Sequence, residues 1–239
     1  MARLQGKERA RYVTRMFARI ARRYDLLNTV MTAGRHHAWR SMATDVAVSN
    51  VSGGALDVAT GTGDFAFALA RRLAVSHVVG LDNTPEMLTV ADAKARLNGL
   101  APRLSLVAGD ARALPFPDDH FECATVGFGV RNFTDVPRAL LEITRVVRPG
   151  GSVVVLEIVQ LEDGGPLGWL FPIYFRYIVP LIGAVLAGDR EAYAYLPESV
   201  DVFLSARRLA SMMEDAGLSD VTFRKLALGT VAVLAGTKA

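Results

Sequence analysis

Cysteine is nearly absent from the sequence, and this scarcity excludes two classes of site. Cys123 is the only cysteine among 239 residues, which excludes an intramolecular disulfide framework and any metal site built from several cysteines. It stands in the apolar run 121–126, where we expect a small buried core residue. The sequence predicts no metal site.

Long uninterrupted hydrophobic runs are also scarce. The N-terminus lacks the apolar core of a secretory signal. The strongly apolar stretch 167–187 is interrupted by Pro172, Arg176 and Pro180, so we do not expect it to span a membrane. Its bulky side chains favour either a buried helix pair or a wall for an apolar substrate taken from a bilayer.

Acidic side chains are almost missing from the first 23 residues. This segment has eight lysines and arginines against Glu8 alone, whereas the whole chain has a net charge of only +3. Apolar residues recur there at helical spacing, which predicts an amphipathic helix. The helix either packs on the body with its basic face in solvent or lies on an anionic membrane surface. The apolar residues are Val13, Met16, Phe17 and Ile20.

From residue 54 onward, short apolar runs alternate with helical stretches, which is the pattern of a mostly parallel α/β sheet. A helix and an antiparallel strand pair are predicted at the end of the chain. The predicted strands are 55–59, 77–81, 104–108, 121–126, 152–158, 221–227 and 231–236, and the predicted helices are 64–73, 85–98, 136–146 and 203–216. Thr84 is the predicted N-cap of the second helix, and the segment 148–151 is predicted to break the chain before the fifth strand.

The chain is expected to form one domain spanning 1–239. We divide it into an N-terminal helical lid (1–50), a cofactor-binding core (51–159), an apolar substrate-covering insertion (160–200), and a C-terminal helix and hairpin (201–239).

The turn after the first predicted strand carries the clearest ligand signal. Gly61 and Gly63 allow the backbone to approach a ligand at the carboxyl edge of the sheet, where open α/β folds bind nucleotides. Asp57 precedes the glycines and Asp64 follows them, so the phosphates of a dinucleotide would be repelled. S-adenosylmethionine has a sulfonium and an ammonium group and no phosphate, so this acidic turn favours it. The alternative is a plain tight turn that binds no ligand, since such a turn can contain the same two glycines.

Two further strand ends carry acids that suit an adenosine. Asp82, followed by Asn83, ends the second predicted strand, where a carboxylate can accept hydrogen bonds from both ribose hydroxyls. After the third strand, Asp110 can accept from the exocyclic amine of adenine while the backbone N–H of Ala111 donates to a ring nitrogen. Asp110 alone is equally typical of a turn or helix N-cap. The three features in this order favour an adenosyl ligand.

Several long motifs resemble the C-methyltransferases of ubiquinone and menaquinone biosynthesis, a family of class I S-adenosylmethionine-dependent methyltransferases. The similarity runs over nearly the whole chain. The motifs are Tyr24-Asp-Leu-Leu-Asn28, Met31-Thr-Ala-Gly-Arg-His36 through Trp39-Arg40, Arg131-Asn-Phe-Thr-Asp135 through Arg145-Val-Val-Arg-Pro-Gly-Gly151, and Tyr193-Ala-Tyr-Leu-Pro-Glu-Ser199. The resemblance implies a Rossmann-like α/β fold with a mostly parallel seven-stranded sheet, a C-terminal antiparallel hairpin and an added helical lid.

The resemblance also implies a cofactor site for S-adenosylmethionine in which Thr62, Asp82 and the pair Asp110 and Ala111 hold the cofactor. Two positions depart from the common pattern: Gly127 stands where a serine is frequent, and Ala59 replaces the first glycine of the general turn. The complete predicted cofactor site is Asp57, Gly61, Thr62, Gly63, Asp82, Asn83, Asp110 and Ala111.

Methylation of a quinol ring carbon requires removal of a proton from the ring hydroxyl, which suggests three catalytic candidates. Arg131 would stabilise the phenolate, and Asn132 would orient a water or the hydroxyl. The alternative for Arg131 is a salt bridge that fixes the loop. His36 titrates near neutrality and is the third candidate, although a structural role is at least as consistent with its position. Tyr24 and Asp25 are expected to shape the lid.

The expected function is therefore methyl transfer from S-adenosylmethionine to a polyprenylated quinol, either a demethylmenaquinol or the benzoquinol of ubiquinone synthesis. Two alternatives stay open: another small aromatic acceptor, or a non-catalytic cofactor-binding subunit of a quinone-biosynthesis complex.

Segment 126–132 lacks the Pro-Pro-aromatic turn that holds a flipped base, so no nucleic-acid partner is expected. We expect a cytoplasmic protein, peripheral at the inner face of the membrane through its basic helix. The sequence does not fix the oligomeric state, and a homodimer is compatible with it.

Overall fold

The N-terminal part of the protein is helical. The structure, a computed structural model, describes residues 6–161 and 203–239. Three helices precede the first strand, and a 3₁₀ turn at Ala21–Arg23 joins the first two. These helices are α1 (Gly6–Ile20), α2 (Tyr24–Thr32) and α3 (Arg35–Ala47).

The rest of the described chain alternates strands and helices as predicted. The strands are β1 (Gly53–Val58), β2 (Val75–Asp82), β3 (Leu104–Ala108), β4 (Phe121–Gly127), β5 (Val147–Ile158), β6 (Leu218–Leu226) and β7 (Val231–Lys238). The helices are α4 (Asp64–Ala70), α5 (Pro85–Leu97), α6 (Val136–Val146) and α7 (Ala206–Asp215). The insertion predicted at 160–200 lies almost wholly outside the described residues, as does the motif 193–199.

The strands form one seven-stranded sheet in the order β3-β2-β1-β4-β5-β7-β6. Strands β1 to β5 are parallel, and β7 pairs antiparallel with both β5 and β6. This sheet confirms the predicted fold class. The chain order reverses between β1 and β4, and ligands of open α/β sheets bind in the crevice at such a point.

Alternation along the buried strands places apolar side chains on both faces of the sheet. Leu56 and Val58 of β1 belong to a core with residues of α6 and α7, whereas Ala55 belongs to a second core with residues of α3 and α4. Two-sided burial explains why the strands read as nearly continuous apolar runs. Cys123 lies in the second core, 1% exposed, as predicted, and burial raises the pKa of its thiol to about 12.

One local prediction was wrong, and the predicted N-cap of α5 is confirmed. The segment 148–151 does not break the chain before the fifth strand, because β5 already begins at Val147, which pairs with Phe121 ahead of a register shift. Thr84 is the N-cap of α5, but its side chain does not cap the helix. Its hydroxyl donates instead to Oδ1 of Asn83 at 3.0 Å.

Among the described helices, none combines the length and the hydrophobicity that crossing a membrane requires. The apolar stretch 167–187 lies outside the residues to which this finding applies.

Candidate active site

A pocket opens at the carboxyl edge of the sheet, at the crevice between β1 and β4. Its space is about 860 Å³ when the open mouth is counted. Six of the predicted site residues line it: Gly61, Asp82, Asn83, Asp110, Ala111 and Asn132. Five do not: Asp57, Thr62, Gly63, His36 and Arg131.

The two glycines of the turn after β1 have different tasks. Both have a positive φ, +57° at Gly61 and +87° at Gly63, which favours glycine. Gly61 lies on the pocket, and a β-carbon there would meet nothing within 4 Å. A β-carbon on Gly63 would stand 2.8 Å from the ring of Phe67, so this glycine allows close packing of α4. Only Gly61 leaves space for a ligand.

Asp82 is held by the backbone at the end of β2. Its Oδ2 accepts from the N–H of Gly61 at 2.8 Å, and its Oδ1 accepts from the N–H of Thr84 at 2.9 Å. The residue is 8% exposed, and burial raises the pKa of its carboxyl. Each carboxylate oxygen can accept more than one hydrogen bond, so both oxygens can also serve ligand hydroxyls.

Asp110 is engaged by a neighbour that the sequence prediction overlooked. Nε and Nη2 of Arg112 donate to its carboxylate, the latter at 2.6 Å, and this pairing lowers the pKa of the Asp110 carboxyl. Both residues line the pocket, and both are partly exposed. The pair lies in the part of the pocket lining where we predicted the adenine, and the ion pair keeps the carboxylate of Asp110 ionised.

Asp57 lies behind the turn rather than in the pocket. It is 1% exposed, and its carboxylate accepts from the hydroxyls of Thr60 at 2.6 Å and Thr125 at 2.8 Å. Burial raises the pKa of its carboxyl to about 6. Asp57 therefore fixes the turn to β4. This geometry favours a structural role for Asp57 over the predicted contact with the cofactor.

The second acid of the turn, Asp64, is neutralised by two cations. Nζ of Lys94 lies 2.7 Å from its Oδ1, and Nη1 of Arg40 lies 3.7 Å from its Oδ2. The attraction of these cations lowers the pKa of the Asp64 carboxyl despite burial, which acts in the opposite direction. The turn is thus less acidic than its sequence indicates.

Thr62 contacts the N-terminal region. Its hydroxyl donates to Oδ1 of Asp25 at 2.5 Å, and the residue is 2% exposed. The cofactor contact that the resemblance implied for Thr62 would have to be made beside this hydrogen bond.

Helix α1 covers the pocket with its apolar face. Ala10, Val13 and Phe17 line the pocket, and Tyr24 of α2 joins them. Nη2 of Arg9 donates to the carbonyl of Arg131 at 2.8 Å. Of the two arrangements predicted for this helix, the structure has the one in which the helix packs on the body. We refer to α1 and α2 together as the cover.

The loop after β4 forms the opposite wall of the pocket. A β-carbon on Gly127 would lie 2.8 Å from the ring of Phe65, so a serine at this position would need that ring to move. A β-carbon on Gly129 would lie 2.7 Å from the methyl group of Ala59. Phe128 and Ala59 both have a positive φ, +57° and +54°, which is strained for residues other than glycine.

Arg131 forms a buried ion pair below this loop. Its Nη1 donates to Oε1 of Glu157 at 2.5 Å and to the carbonyl of Phe128 at 2.7 Å, and its backbone N–H donates to Oε2 of Glu157 at 3.1 Å. Arg131 and Glu157 are 5% and 0% exposed. This is the loop-fixing salt bridge of the alternative interpretation. Glu157 was missed, although an acid near the end of an apolar strand is the same signal that singled out Asp82.

His36 is 1% exposed and lies outside the pocket lining. Its Nε2 lies 3.1 Å from the hydroxyl of Thr29, and its Nδ1 contacts Nη1 of Arg40. Burial, followed by the charge of Arg40, lowers the pKa of His36 to about 4. A neutral, fully engaged ring in this position favours the structural role over acid-base catalysis.

His36 also takes part in the one group of potential metal ligands among residues 6–161 and 203–239. Its ligand atoms lie within 4.8 Å of those of His37 and Asp64. Arg40 and Lys94 already balance the charge of Asp64, so we assign no metal to this group.

Comparison with known proteins decides the enzyme class. The profile of the ubiE/COQ5 methyltransferase family matches residues 4–238. The chain belongs to this family. This membership confirms the predicted methyltransferase activity, with S-adenosylmethionine as methyl donor.

Full-length relatives support the same assignment. A Thermus thermophilus protein named demethylmenaquinone methyltransferase is 43% identical over 223 residues, covering 93% of this chain and all of that protein. A Paracoccus denitrificans protein named ubiquinone/menaquinone biosynthesis C-methyltransferase UbiE is 40% identical over 232 residues, covering 97% and 92%.

Solved structures share the fold at low sequence identity. The SpnF cyclase superposes with a TM-score of 0.70 at 19% identity, covering 95% of this chain and 94% of that chain. A Thermotoga maritima S-adenosylmethionine-dependent methyltransferase superposes with a TM-score of 0.62 at 19% identity, covering 94% and 99%. These two likenesses concern the fold alone.

Proposed function

We propose that the protein transfers the methyl group of S-adenosylmethionine to a ring carbon of a polyprenylated quinol, in menaquinone or ubiquinone biosynthesis. The observation that carries this proposal is the covered pocket, which has polar strand ends on one wall and the Gly127–Asn132 loop on the other. The name of the Thermus relative supports a naphthoquinol acceptor, and the name of the Paracoccus relative supports acceptors of both the ubiquinone and the menaquinone pathway.

The adenosine portion of the cofactor fits the strand ends of β2 and β3. The buried carboxylate of Asp82 has acceptor capacity beyond its two backbone donors, and Asn83 lines the pocket next to it. We assign the ribose to these residues and the adenine to Asp110 and Ala111. Gly61 leaves room for the backbone to approach the cofactor closely.

When bound, the cofactor supplies an electrophilic methyl group on its sulfonium. The acceptor carbon must be aligned with the methyl–sulfur bond, and positioning provides much of the rate enhancement. We assign this positioning to the loop after β4, where Asn132 faces the pocket and can orient the acceptor hydroxyl.

Arg131 acts on the same step from behind the loop. Its charge is balanced by Glu157, so its first role in our proposal is to hold the loop that presents Asn132. Its second role is to favour the phenolate from behind the loop, with the proton of the acceptor hydroxyl passing to a water in the pocket.

The outer face of α1 is suited to an anionic membrane surface. Arg11, Arg15 and Arg19 are exposed, whereas Val13 and Met16 on the other face are buried. Because the apolar face is occupied by the body, we propose contact through charge rather than by insertion of the helix. Such contact would place the pocket beside the source of a lipid-soluble quinol.

The decisive experiment incubates purified protein with labelled S-adenosylmethionine and either demethylmenaquinol or the matching benzoquinol in detergent. Mass spectrometry should detect an acceptor in which one ring hydrogen is replaced by the labelled methyl group. Cofactor binding without transfer to either acceptor would refute the enzymatic proposal and favour a non-catalytic subunit. Transfer only to simpler phenols would favour a different aromatic substrate.

Arg131→Ala and Asn132→Ala test the wall formed by the loop after β4, which we call the acceptor wall. We expect turnover to fall at least tenfold with cofactor affinity nearly unchanged, because neither residue belongs to the adenosine end of the pocket. An equal loss of turnover and cofactor affinity would show that the loop supports the whole pocket instead.

A further inference from the structure

Asp25, in the first turn of α2, joins the cover to the cofactor turn. Its Oδ1 accepts from the hydroxyl of Thr62, 37 residues away, at 2.5 Å. Its Oδ2 accepts from Nζ of Lys94 on α5, 69 residues away, at 2.5 Å. One carboxylate therefore connects three segments that meet at one edge of the sheet.

The charges around Asp25 are balanced. Lys94 lies between Asp25 and Asp64, at 2.5 and 2.7 Å, and Arg40 lies 3.7 Å from Asp64. Two acids thus face two cations, and removal of Asp25 leaves an excess positive charge beside the turn. An ammonium group at this turn would then be disfavoured.

The hydrogen bond also determines what Thr62 can offer a ligand. The hydroxyl of a threonine has one proton and two lone pairs. Because the proton is directed to Asp25, the remaining capacity of the Thr62 hydroxyl is that of an acceptor, which suits an ammonium donor and not a carboxylate.

Sheet order indicates which part of the cofactor lies here. The proposed adenine and ribose positions follow β3 and β2, and the next strand in the sheet is β1, whose turn contains Gly61 and Thr62. The amino-acid portion of S-adenosylmethionine then falls at the β1 turn, beside Asp25.

We propose that Asp25 is a positioning residue for the amino-acid end of the cofactor. It orients Thr62, balances Lys94 and fastens the cover over that end of the pocket. The inference rests on the proposed placement of adenosine at Asp82 and Asp110.

The test compares two ligands that share the adenosine and differ in the amino-acid portion. Titration calorimetry measures binding of S-adenosylhomocysteine, which has that portion, and of 5′-methylthioadenosine, which lacks it. We expect Asp25→Ala to lower the affinity for S-adenosylhomocysteine at least tenfold. The affinity for 5′-methylthioadenosine should stay within about twofold of the wild-type value. The matched control is Asp45→Ala, which removes an exposed carboxylate paired with Arg72 and should change neither affinity.

Asp25→Asn separates the hydrogen bond from the charge, and it serves as the test if the alanine variant does not fold. The amide oxygen can still accept from Thr62, so we expect a loss of S-adenosylhomocysteine affinity smaller than that of Asp25→Ala but outside the range of the control. An equal loss for both ligands, or a loss for neither, would overturn the proposal. Asp82→Ala should lower the affinity for both ligands. If it lowers neither affinity, the proposed placement of adenosine is wrong, and that placement rather than the role of Asp25 has failed.

Discussion

The two walls of the pocket are built in different ways. On the cofactor wall, Asp82 is fixed by backbone N–H groups of the adjacent turn and helix. On the acceptor wall, Arg131 depends on the Glu157 side chain, 26 residues away, and its carbonyl accepts from Arg9, 122 residues away. The wall that we assign to the cofactor, here called the cofactor wall, is therefore set by secondary structure, whereas the acceptor wall is set by pairs of side chains from distant parts of the chain.

Breaking the buried pair on the acceptor wall should have the largest effect. Glu157→Leu leaves the guanidinium of Arg131 in the interior without that carboxylate, and we expect a loss of about 3–5 kcal/mol in the free energy of unfolding, measured in urea. The double variant Arg131→Met with Glu157→Leu should recover most of this loss.

The exposed pair of Arg72 and Asp45 provides the control for this prediction. Asp45→Leu should change the free energy of unfolding by at most about 1 kcal/mol, because exposed ion pairs contribute little. If Glu157→Leu behaved like this control, the acceptor wall would not depend on the buried pair.

The cofactor wall is tested by Asp82→Ala. Charge-assisted hydrogen bonds contribute about 1.5–3 kcal/mol each, so loss of the two proposed ribose contacts should weaken the binding of S-adenosylhomocysteine roughly 100-fold or more in calorimetry. Asp92→Ala is the control, since its carboxylate pairs with Arg96 on the exposed face of α5. A parallel loss in both variants would mean that α5, rather than the strand end, holds the ligand.

Protonation should act in opposite directions on His36 in α3 and on Asp57 in β1. The pKa of His36 falls from 6.5 to about 4 in the folded protein, so the unfolded chain takes up the proton first as the pH falls. The stability that His36 contributes is complete above pH 6.5 and is lost towards pH 4, on the order of 3 kcal/mol in total. Urea unfolding of His36→Gln should lack this loss.

Asp57 acts with the opposite sign in the same pH window. The pKa of its carboxyl rises to about 6, so its contribution is complete below about pH 4 and is lost as the pH rises through 6. Between pH 4.5 and 7, the free energy of unfolding of Asp57→Asn should therefore rise relative to that of the wild type. Parallel pH profiles for the two variants would contradict the assigned causes.

The smallest effect is expected where the acceptor wall meets α4. Gly127→Ser introduces a β-carbon 2.8 Å from the ring of Phe65, and overpacking of this kind costs about 1–3 kcal/mol. Thermal unfolding should detect the loss, and Phe65→Leu in the same chain should reduce it. A neutral single substitution would mean that the ring moves freely.

The sequence predicted which strand-end acids line the pocket better than it predicted the contacts of Arg131, and the reason is physical. Asp82 and Asp110 each follow an apolar run at a strand end, and parallel strands bring such ends together without further information. Arg112 lies only two residues from Asp110, so this pairing was within reach of a local argument. The break predicted at 148–151 failed because pairing of Val147 with Phe121 outweighs local turn propensity.

The pairs that fix the acceptor wall and the cover could not be predicted in this way. Many arginines were available to Glu157, and only the fold selects Arg131. In the same way, Asp25 was expected to shape the lid, but its contacts with Thr62 and Lys94 depend on how α2 packs against α5. Apolar periodicity predicts that α1 buries one face, and does not reveal that this face closes a pocket.

The close approach of Ala59 and Gly129 has a consequence for sequence divergence. A β-carbon on Gly129 would stand 2.7 Å from the methyl group of Ala59, so the two positions share space for a single methyl group. A chain that restores glycine at position 59 gains freedom to carry alanine at position 129, and it also relieves the left-handed backbone of Ala59. The two sites should therefore change together in evolution, although 70 residues separate them and neither has a side chain that performs chemistry.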